Sequence, residues 1–317
     1  MYNRFLNIIF IFFTSTLFSQ ENLIQNGSFE DIDSCYGDPA ALGFDVFKWS
    51  GCKGWSNPAY SSSDLWCENP VFGNNEPPNI IGFAYQEAHS GENFADIIVL
   101  DNNSWNYREY VQNELITNLE KDQIYQFEFY VNTAAIKNQT SCLDAFFSSK
   151  KIQSTEKRLN LVPQIKNNID NFFNDSLGWY HYKKFYKGDG KEKFIIIGCF
   201  DDSSNIQIFD HDIWLAEGII LFLDDFSLTK APYFFSIPNV FTLNNDGIND
   251  FFSPNVINLN WNCKIFNRWG NEILELNNES PNWDGKNCKE GTYFYAFEGK
   301  DKENIFKESG FIQLLRE

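Results

Sequence analysis

The sequence predicts an all-β chain of two sandwiches, a larger N-terminal one and a small C-terminal one, and three observations predict it. Phe occurs 33 times, Tyr 14 and Trp 9, and aromatic enrichment suits pleated, half-buried surfaces better than helices. Apolar stretches are short and stop at Gly, Asn, Asp or Pro, as strands joined by turns do. No window sustains a long amphipathic helical period, and no repeat of solenoid length occurs. The 317 residues suit two domains of about 100–200 residues each.

Each segment follows from its own pattern. Residues 1–19 read as a secretory signal peptide: Arg4 gives a positive start, Phe5 to Phe18 is nearly all apolar, and Ser19 offers a small cleavage residue. The run is shorter than the roughly 20 apolar residues of a membrane span. Residues 20–228 are expected to form the first domain, a jelly-roll β-sandwich. Within it Ile124–Val131 alternates apolar with polar, while Phe194–Gly198 and Ile219–Leu223 are continuous apolar runs of the kind buried on both faces. Leu161–Phe173 places Ile165, Ile169 and Phe172 near helical spacing, so a short helix is expected there. Residues 229–236, interrupted by Lys230 and Pro232, are expected to be a linker. Residues 237–317 carry short strands at Cys263–Phe266, Glu272–Leu276, Thr292–Phe297 and Phe311–Leu315, punctuated by Gly270, Gly285 and Gly291. That spacing predicts a small Ig-like β-sandwich, with Trp269 and Trp283 in its core.

Composition and motifs narrow the function. A net charge of −18 with no Lys/Arg cluster argues against nucleic-acid binding. Hydrolase, zinc-protease, P-loop and dinucleotide-binding motifs are all missing, so no catalytic residue is assigned and the chain reads as a non-enzyme. A carbohydrate-active enzyme using two carboxylates is the weaker alternative. His89, His181 and His211 are the only histidines, and His211 sits among acids as a surface loop would. Seven cysteines leave at least one unpaired, and no C-x-x-C pair suggests a zinc or redox site. Cys263 and Cys288, alone in the second domain, are expected to bond to each other.

Five strings in the second domain are specific: Ile237–Thr242, Asn245–Phe252, Ile265–Asn271, Trp283–Lys286 and Gly291–Tyr295. In this order they resemble the gliding-motility-associated C-terminal domain of Bacteroidetes, the type B sorting signal of the type IX secretion system. Leu243–Asn244 departs from the Pro-Asn-Gly usual in that family, a change at one turn. The resemblance implies export across both membranes, engagement of the type IX machinery and an outer-membrane partner protein, and delivery to the cell surface or medium. Asn245–Asp250 is also turn chemistry. Read as a calcium loop it fails at both ends, with Thr242 and Ser253 where acids belong.

Asn22–Glu30 and Phe222–Leu228 are similar to the first and last strands of galactose-binding-like jelly rolls, the fold of many carbohydrate-binding modules. Ala88–Ala95 and Asn106–Gln112 extend the likeness to jelly rolls of Bacteroidetes surface proteins. It implies a structural Ca²⁺ held by Glu30 and Asp225, with Asp224 as the alternative ligand, the other reading being solvated strand ends. Ligand contacts are expected from aromatics in Gly/Ser/Asn/Pro-rich stretches. Trp49, Trp55, Tyr60, Trp66 and Trp105 are the candidates, of which Trp55, Trp66 and Trp105 are selected as stacking residues for a glycan. Asp64, Glu68 or Arg108 would meet its hydroxyls, and Arg108 reads equally as an ion-pair partner of Glu109. The resulting expectation is a surface glycan-binding module or adhesin, the second reading being a structural or protein-interaction component of the cell envelope.

Overall fold

The computed structural model describes residues 20–35, 52–68, 70, 86–101, 107–133, 139–168, 171–173, 178–202, 205–206, 208–209, 218–244, 246–247, 249–302 and 304–316. The expected signal peptide, Trp49, Trp105 and His211 lie outside them. Among the described residues there is no α-helix, and the chain divides into two compact units, one ending at Lys230 and the other beginning at Ala231.

The first unit is a jelly-roll sandwich of two antiparallel sheets. One sheet has the order β1 (Trp55–Ser56), β4 (Tyr110–Glu114), β9 (Phe194–Gly198), β7 (Asp144–Ser148). The other runs β2 (Asp64–Trp66), β3 (Phe94–Leu100), β11 (Ile219–Lys230), β5 (Ile124–Thr133), β8 (Tyr180–Lys187). A short pair, β6 (Gln139–Thr140) with β10 (Ile208–Phe209), stands beside them. The period of two in β5 does what it predicts: Tyr125, Phe127, Phe129 and Val131 enter the core between the sheets, and Gln126, Glu128 and Tyr130 take the other face. Two disulfides, Cys35–Cys67 and Cys142–Cys199, staple this unit.

Both sheets are also covered in part on their outer faces, which is why β9 and β11 read as continuous apolar runs. Over the four-stranded sheet, Tyr110, Ile196 and Phe200 pack under Leu159 and Leu161. Over the five-stranded sheet, Trp66, Phe94 and Phe222 form a second small core. The helix expected at 161–173 is absent from the described residues 161–168 and 171–173: Ile165 makes an isolated bridge to Ala145, extending past the β7 edge as backbone that pairs rather than coils. Edge pairing wins there because β7 would otherwise leave its outer N–H and C=O groups unsatisfied.

The second unit sets a five-stranded mixed sheet against a two-stranded one. The larger has the order β13 (Val240–Thr242), β18 (Ile305–Leu315), β17 (Gly291–Lys300), β15 (Asn260–Phe266), β16 (Glu272–Asn277), with β13 and β18 parallel. The smaller pairs β12 (Phe234–Ser236) with β14 (Asn255–Ile257). The stretch expected as a linker is therefore shared out: Thr229 and Lys230 end β11, and Phe234–Ser236 is already a strand. Phe241, Phe252, Trp261, Trp283, Phe297 and Leu314 are in the core. Trp269 is not; it is 76% exposed in the turn before β16, with the Arg268 guanidinium 5.4 Å from its ring centre.

The expected Cys263–Cys288 bridge is corrected, since both are free thiols. Cys263 lies mid-strand opposite Phe297, and burial, with the charge of Glu308 adding, pushes its thiol up to about 12. Cys288 precedes Gly291, where β17 begins. The strand from Gly291 to Phe297 alone spans about 20 Å, and bridging needs Cα atoms within about 7 Å. Being alone together in one small domain did not bring the two cysteines within bonding reach.

The turn that carries the chain from β8 in one sheet to β9 in the other is tied by one carboxylate. Glu192 accepts the Tyr186 hydroxyl at 2.5 Å and the backbone N–H groups of Asp189, Gly190 and Lys191 at 2.7–3.0 Å. Burial pushes its pKa up, but these donors outweigh burial and take it down from 4.5 to about 2. A folded pKa below the unfolded one stabilises above the unfolded value, and the contribution is lost as pH falls from about 4.5 through about 2. In urea unfolding at pH 7, Glu192→Gln is expected to cost about 1–3 kcal/mol. The variant should also lose less stability than wild type on acidification through that window; parallel acid limbs would show that the carboxylate's charge is not what ties the turn.

Candidate functional site

The residues that converge most clearly come from three distant segments. The chain start runs beside the end of β11: Leu23 N–H donates to Leu228 O at 2.8 Å, and the Asn22 amide bonds Phe226 O and Leu228 N–H. Contact is so close at Gly27 that a Cβ there would lie 2.0 Å from Phe226 O, so only glycine fits. Phe29 then adopts φ 61°, an uncommon conformation for a bulky residue, which sends its ring into the core and leaves Glu30 facing the 88–93 segment. On β11 the register against β5 slips between Asp224 and Ser227, and Asp225 takes φ 51° within this bulge. The bulge returns Phe226 to the core while Asp224 and Asp225 both reach the same 88–93 segment.

There the three acids act as a clasp. Glu30 accepts N–H groups of Glu92 and Asn93 and the Asn93 amide, all at 2.9 Å. Buried Asp224 accepts the N–H of His89 at 2.9 Å and of Ser90 at 3.2 Å through one oxygen, and that of Asp225 at 2.7 Å through the other. Asp225 bonds His89 Nδ1 at 2.5 Å and the Ser90 hydroxyl at 2.8 Å. Gly91 sits at the pivot, where a Cβ would lie 2.3 Å from Glu30 Oε1. Burial, then the charge of Asp225, pushes Asp224 up to about 8 despite its three N–H donors.

His89 carries the clasp onto the outer face of the five-stranded sheet. Its ring stacks on Tyr130 with centroids 3.4 Å apart, and Tyr130 stacks on His181 at 4.8 Å. Tyr130 and His181 are direct cross-strand partners, as are Glu128 and Lys183, and Gln126 and Phe185. His181 Nε2 lies 3.1 Å from Glu128 Oε2. This β5–β8 half of the face is open, with His181, Lys183 and Phe185 exposed, whereas the half around Phe94 and Phe222 is covered. Trp179 edges onto both His89 and Phe94 and marks the border.

The structure separates the expected stacking tryptophans. Trp55 is buried between the sheets against Phe29 and Phe226, and its indole N–H donates to Asn26 O at 2.8 Å. Trp66 is buried on the outer face, stacked on Phe94 at 5.8 Å. Neither offers a face to a ligand, so both are corrected from ligand contacts to packing residues. Trp105 lies outside the described residues. Arg108 is likewise buried, its Nη1 donating to Tyr107 O at 2.7 Å, and is corrected from a hydroxyl contact to a structural residue. Of the other candidates among the described residues, Tyr60 and Glu68 are exposed and Asp64 is half-buried. The open face was missed, although the alternation in Ile124–Val131 already assigned Glu128 and Tyr130 to one side.

In the second unit the strings noted in the sequence become turns and core. Gly247 N–H bonds Asp250, Trp283 packs on Phe241, and Gly285 (φ 59°) lies against the same ring. Residues 235–314 match the CHU_C Type IX secretion signal domain. This secretion signal domain takes up nearly all of the second unit. No curated protein matches the chain. Among solved structures, the chain is similar to the CBM22-1 xylan-binding domain from Paenibacillus barcinonensis Xyn10C, at 12% identity over 56% of this chain and 85% of that one, with TM-score 0.32. The tandem CBM22-1–CBM22-2 domain of the same protein matches at 10% identity, 90% and 87% coverage and TM-score 0.35. The N-terminal cellulose-binding domain of Cellulomonas fimi β-1,4-glucanase C matches at 9% identity, 57% and 91% coverage and TM-score 0.30. The secretion signal marks the chain for export by the type IX route.

Proposed function

We propose that the chain is a non-catalytic, glycan-binding protein or adhesin of the cell surface or medium, exported through the type IX machinery with an outer-membrane partner protein. The observation that carries the binding reading is the open β5–β8 face, where exposed His181 stacks on Tyr130, itself backed by His89, next to Glu128 and Lys183. A sugar ring has an apolar face that stacks on such rings and hydroxyls that a carboxylate and an ammonium meet as acceptor and donor. A glycan array on the purified chain is expected to show binding that Tyr130→Ala and His181→Ala each weaken about tenfold, or ~1.4 kcal/mol. No binding to any glycan, or full binding in both variants, would remove the reading.

Export is tested separately. A chain cut after Lys230 lacks the whole secretion signal domain and is expected to accumulate in the periplasm of the producing cell. Fractionation that finds it on the surface at wild-type levels would falsify the dependence on this domain.

Calcium at the clasp belongs to the same proposal. Glu30, Asp224 and Asp225 offer oxygen ligands of the kind a hard cation takes, and they meet neutral N–H and O–H donors and one imidazole. Burial first, and then the repelling charge of neighbouring Asp225, raises the pKa of Asp224. A Ca²⁺ shared by Glu30 and Asp225 would relieve that repulsion and add to the tie between the ends of the unit. Binding to the folded state alone stabilises by about 2.7 kcal/mol when the ion is a hundredfold above its Kd. Chelation is therefore expected to lower the Tm of the chain, and Glu30→Gln to abolish most of that dependence. A Tm unchanged between excess calcium and chelator in the wild-type chain would sink the idea.

A further inference from the structure

A second acidic place lies at the β7 edge of the first unit, apart from the clasp and the glycan face. Two short sequences build it, Cys142-Leu-Asp144 and Cys199-Phe-Asp201, each with the acid two residues after the cysteine. The Cys142–Cys199 disulfide joins them, and Asp144 pairs in register with Gly198, so covalent bond and sheet together hold the two carboxylates side by side. A carboxylate oxygen of each lies within 4.8 Å of the other, close to twice the 2.3–2.6 Å of a calcium–oxygen bond. Cys142 Sγ is as near, but the disulfide occupies it, which leaves a set of oxygens.

Hydrogen bonding leaves one of these oxygens unanswered. Asp144 is 5% exposed; its Oδ1 accepts the Asn167 N–H at 3.0 Å, and its Oδ2 has no partner among the described residues. A buried carboxylate oxygen without a donor is costly. The Tyr182 hydroxyl, on the facing edge strand β8, is also buried and unpartnered, and it lies within electrostatic reach of Asp144. Burial is the main cause that pushes Asp144 up to about 6, with the Asn167 N–H opposing and Asp201 adding. One positive group already visits: Lys166 Nζ stands 3.0 Å from Asp201 Oδ1, on a side chain 51% exposed and free to swing out. Asp201 is 38% exposed and gives the place an opening to solvent.

We infer that Asp144 and Asp201 hold a hard divalent cation of the calcium class, with the Asp144 oxygen that lacks a donor as its buried ligand and Lys166 as the resident competitor. The ion joins the end of β9 to the start of β7 in parallel with the disulfide, and it makes that corner depend on the cation content of the medium.

Terbium(III) luminescence on the full chain carrying Glu30→Gln reads this place without the clasp. Saturable binding is expected there. Asp144→Asn, which keeps the acceptor for Asn167, should weaken it about tenfold or more. Lys166→Gln should strengthen it about threefold by removing the competing charge. Should Asp144→Asn fail to fold, half-exposed Asp201→Asn serves instead. Should Glu30→Gln fail to fold, calorimetric stoichiometry of calcium on the otherwise unaltered chain is expected to fall by one ion in Asp201→Asn. No terbium bound in the Glu30→Gln chain, as an enclosed water alone would give, overturns the inference. Equal affinity in the parent and the aspartate variants overturns it too, as does a Lys166→Gln variant that binds no tighter.

Discussion

The first unit depends on how a carboxylate buried in the middle strand of a sheet finds its donors. Asp224 lies in β11 with strands on both sides and has no access to solvent. Its oxygens must be met by N–H groups brought to it, and the 88–93 segment brings them. To present the acid there, β11 bulges; the bulge returns Phe226 to the core; and the chain start, lying on Phe226 and Leu228, sets Glu30 against the other half of the same segment. Asn22, Gly27, Phe29, Gly91 and Asp225 each hold a role that follows from that one need, three of them with φ in the left-handed region.

The same arrangement divides the outer face of the five-stranded sheet. With the 88–93 segment held down, His89 comes to rest on Tyr130 and Trp179 closes against His89 and Phe94. The Trp66–Phe94–Phe222 side becomes a covered core, and the Glu128–Lys183 side stays open. His181 is thereby held against a ring that His89 itself backs.

Period and pairing were legible in the sequence wherever one local signal decided the outcome. Ile124–Val131 alternates and is a strand with the expected faces; Phe194–Gly198 and Ile219–Leu223 run apolar and are covered on both sides. Glu30 and Asp224–Asp225 were found through likeness of their strings, and they do converge on one segment. What local composition cannot report is which side of a sheet a loop lies against. Trp55 and Trp66 sit among Gly, Ser and Asn, yet strands only two and three residues long carry them into two different cores. Elimination failed for Cys263 and Cys288 because a shared domain says nothing about level along a strand. The spacing of Ile165 and Phe172 imitates a helix, but an unpaired β7 edge had more to gain from that backbone.

Strand order has a consequence for the life of the chain before it is folded. β11 is the last strand of its unit to be synthesised, and it belongs between β3 and β5, which have no other link to each other within the sheet. Until residues 219–230 arrive, the five-stranded sheet exists only as two fragments with bare edges, and every contact that joins them spans a long stretch of sequence. Such non-local closure is slow. Completion of this unit therefore waits on its last strand, and a chain ending before residue 219 is left with two bare-edged fragments.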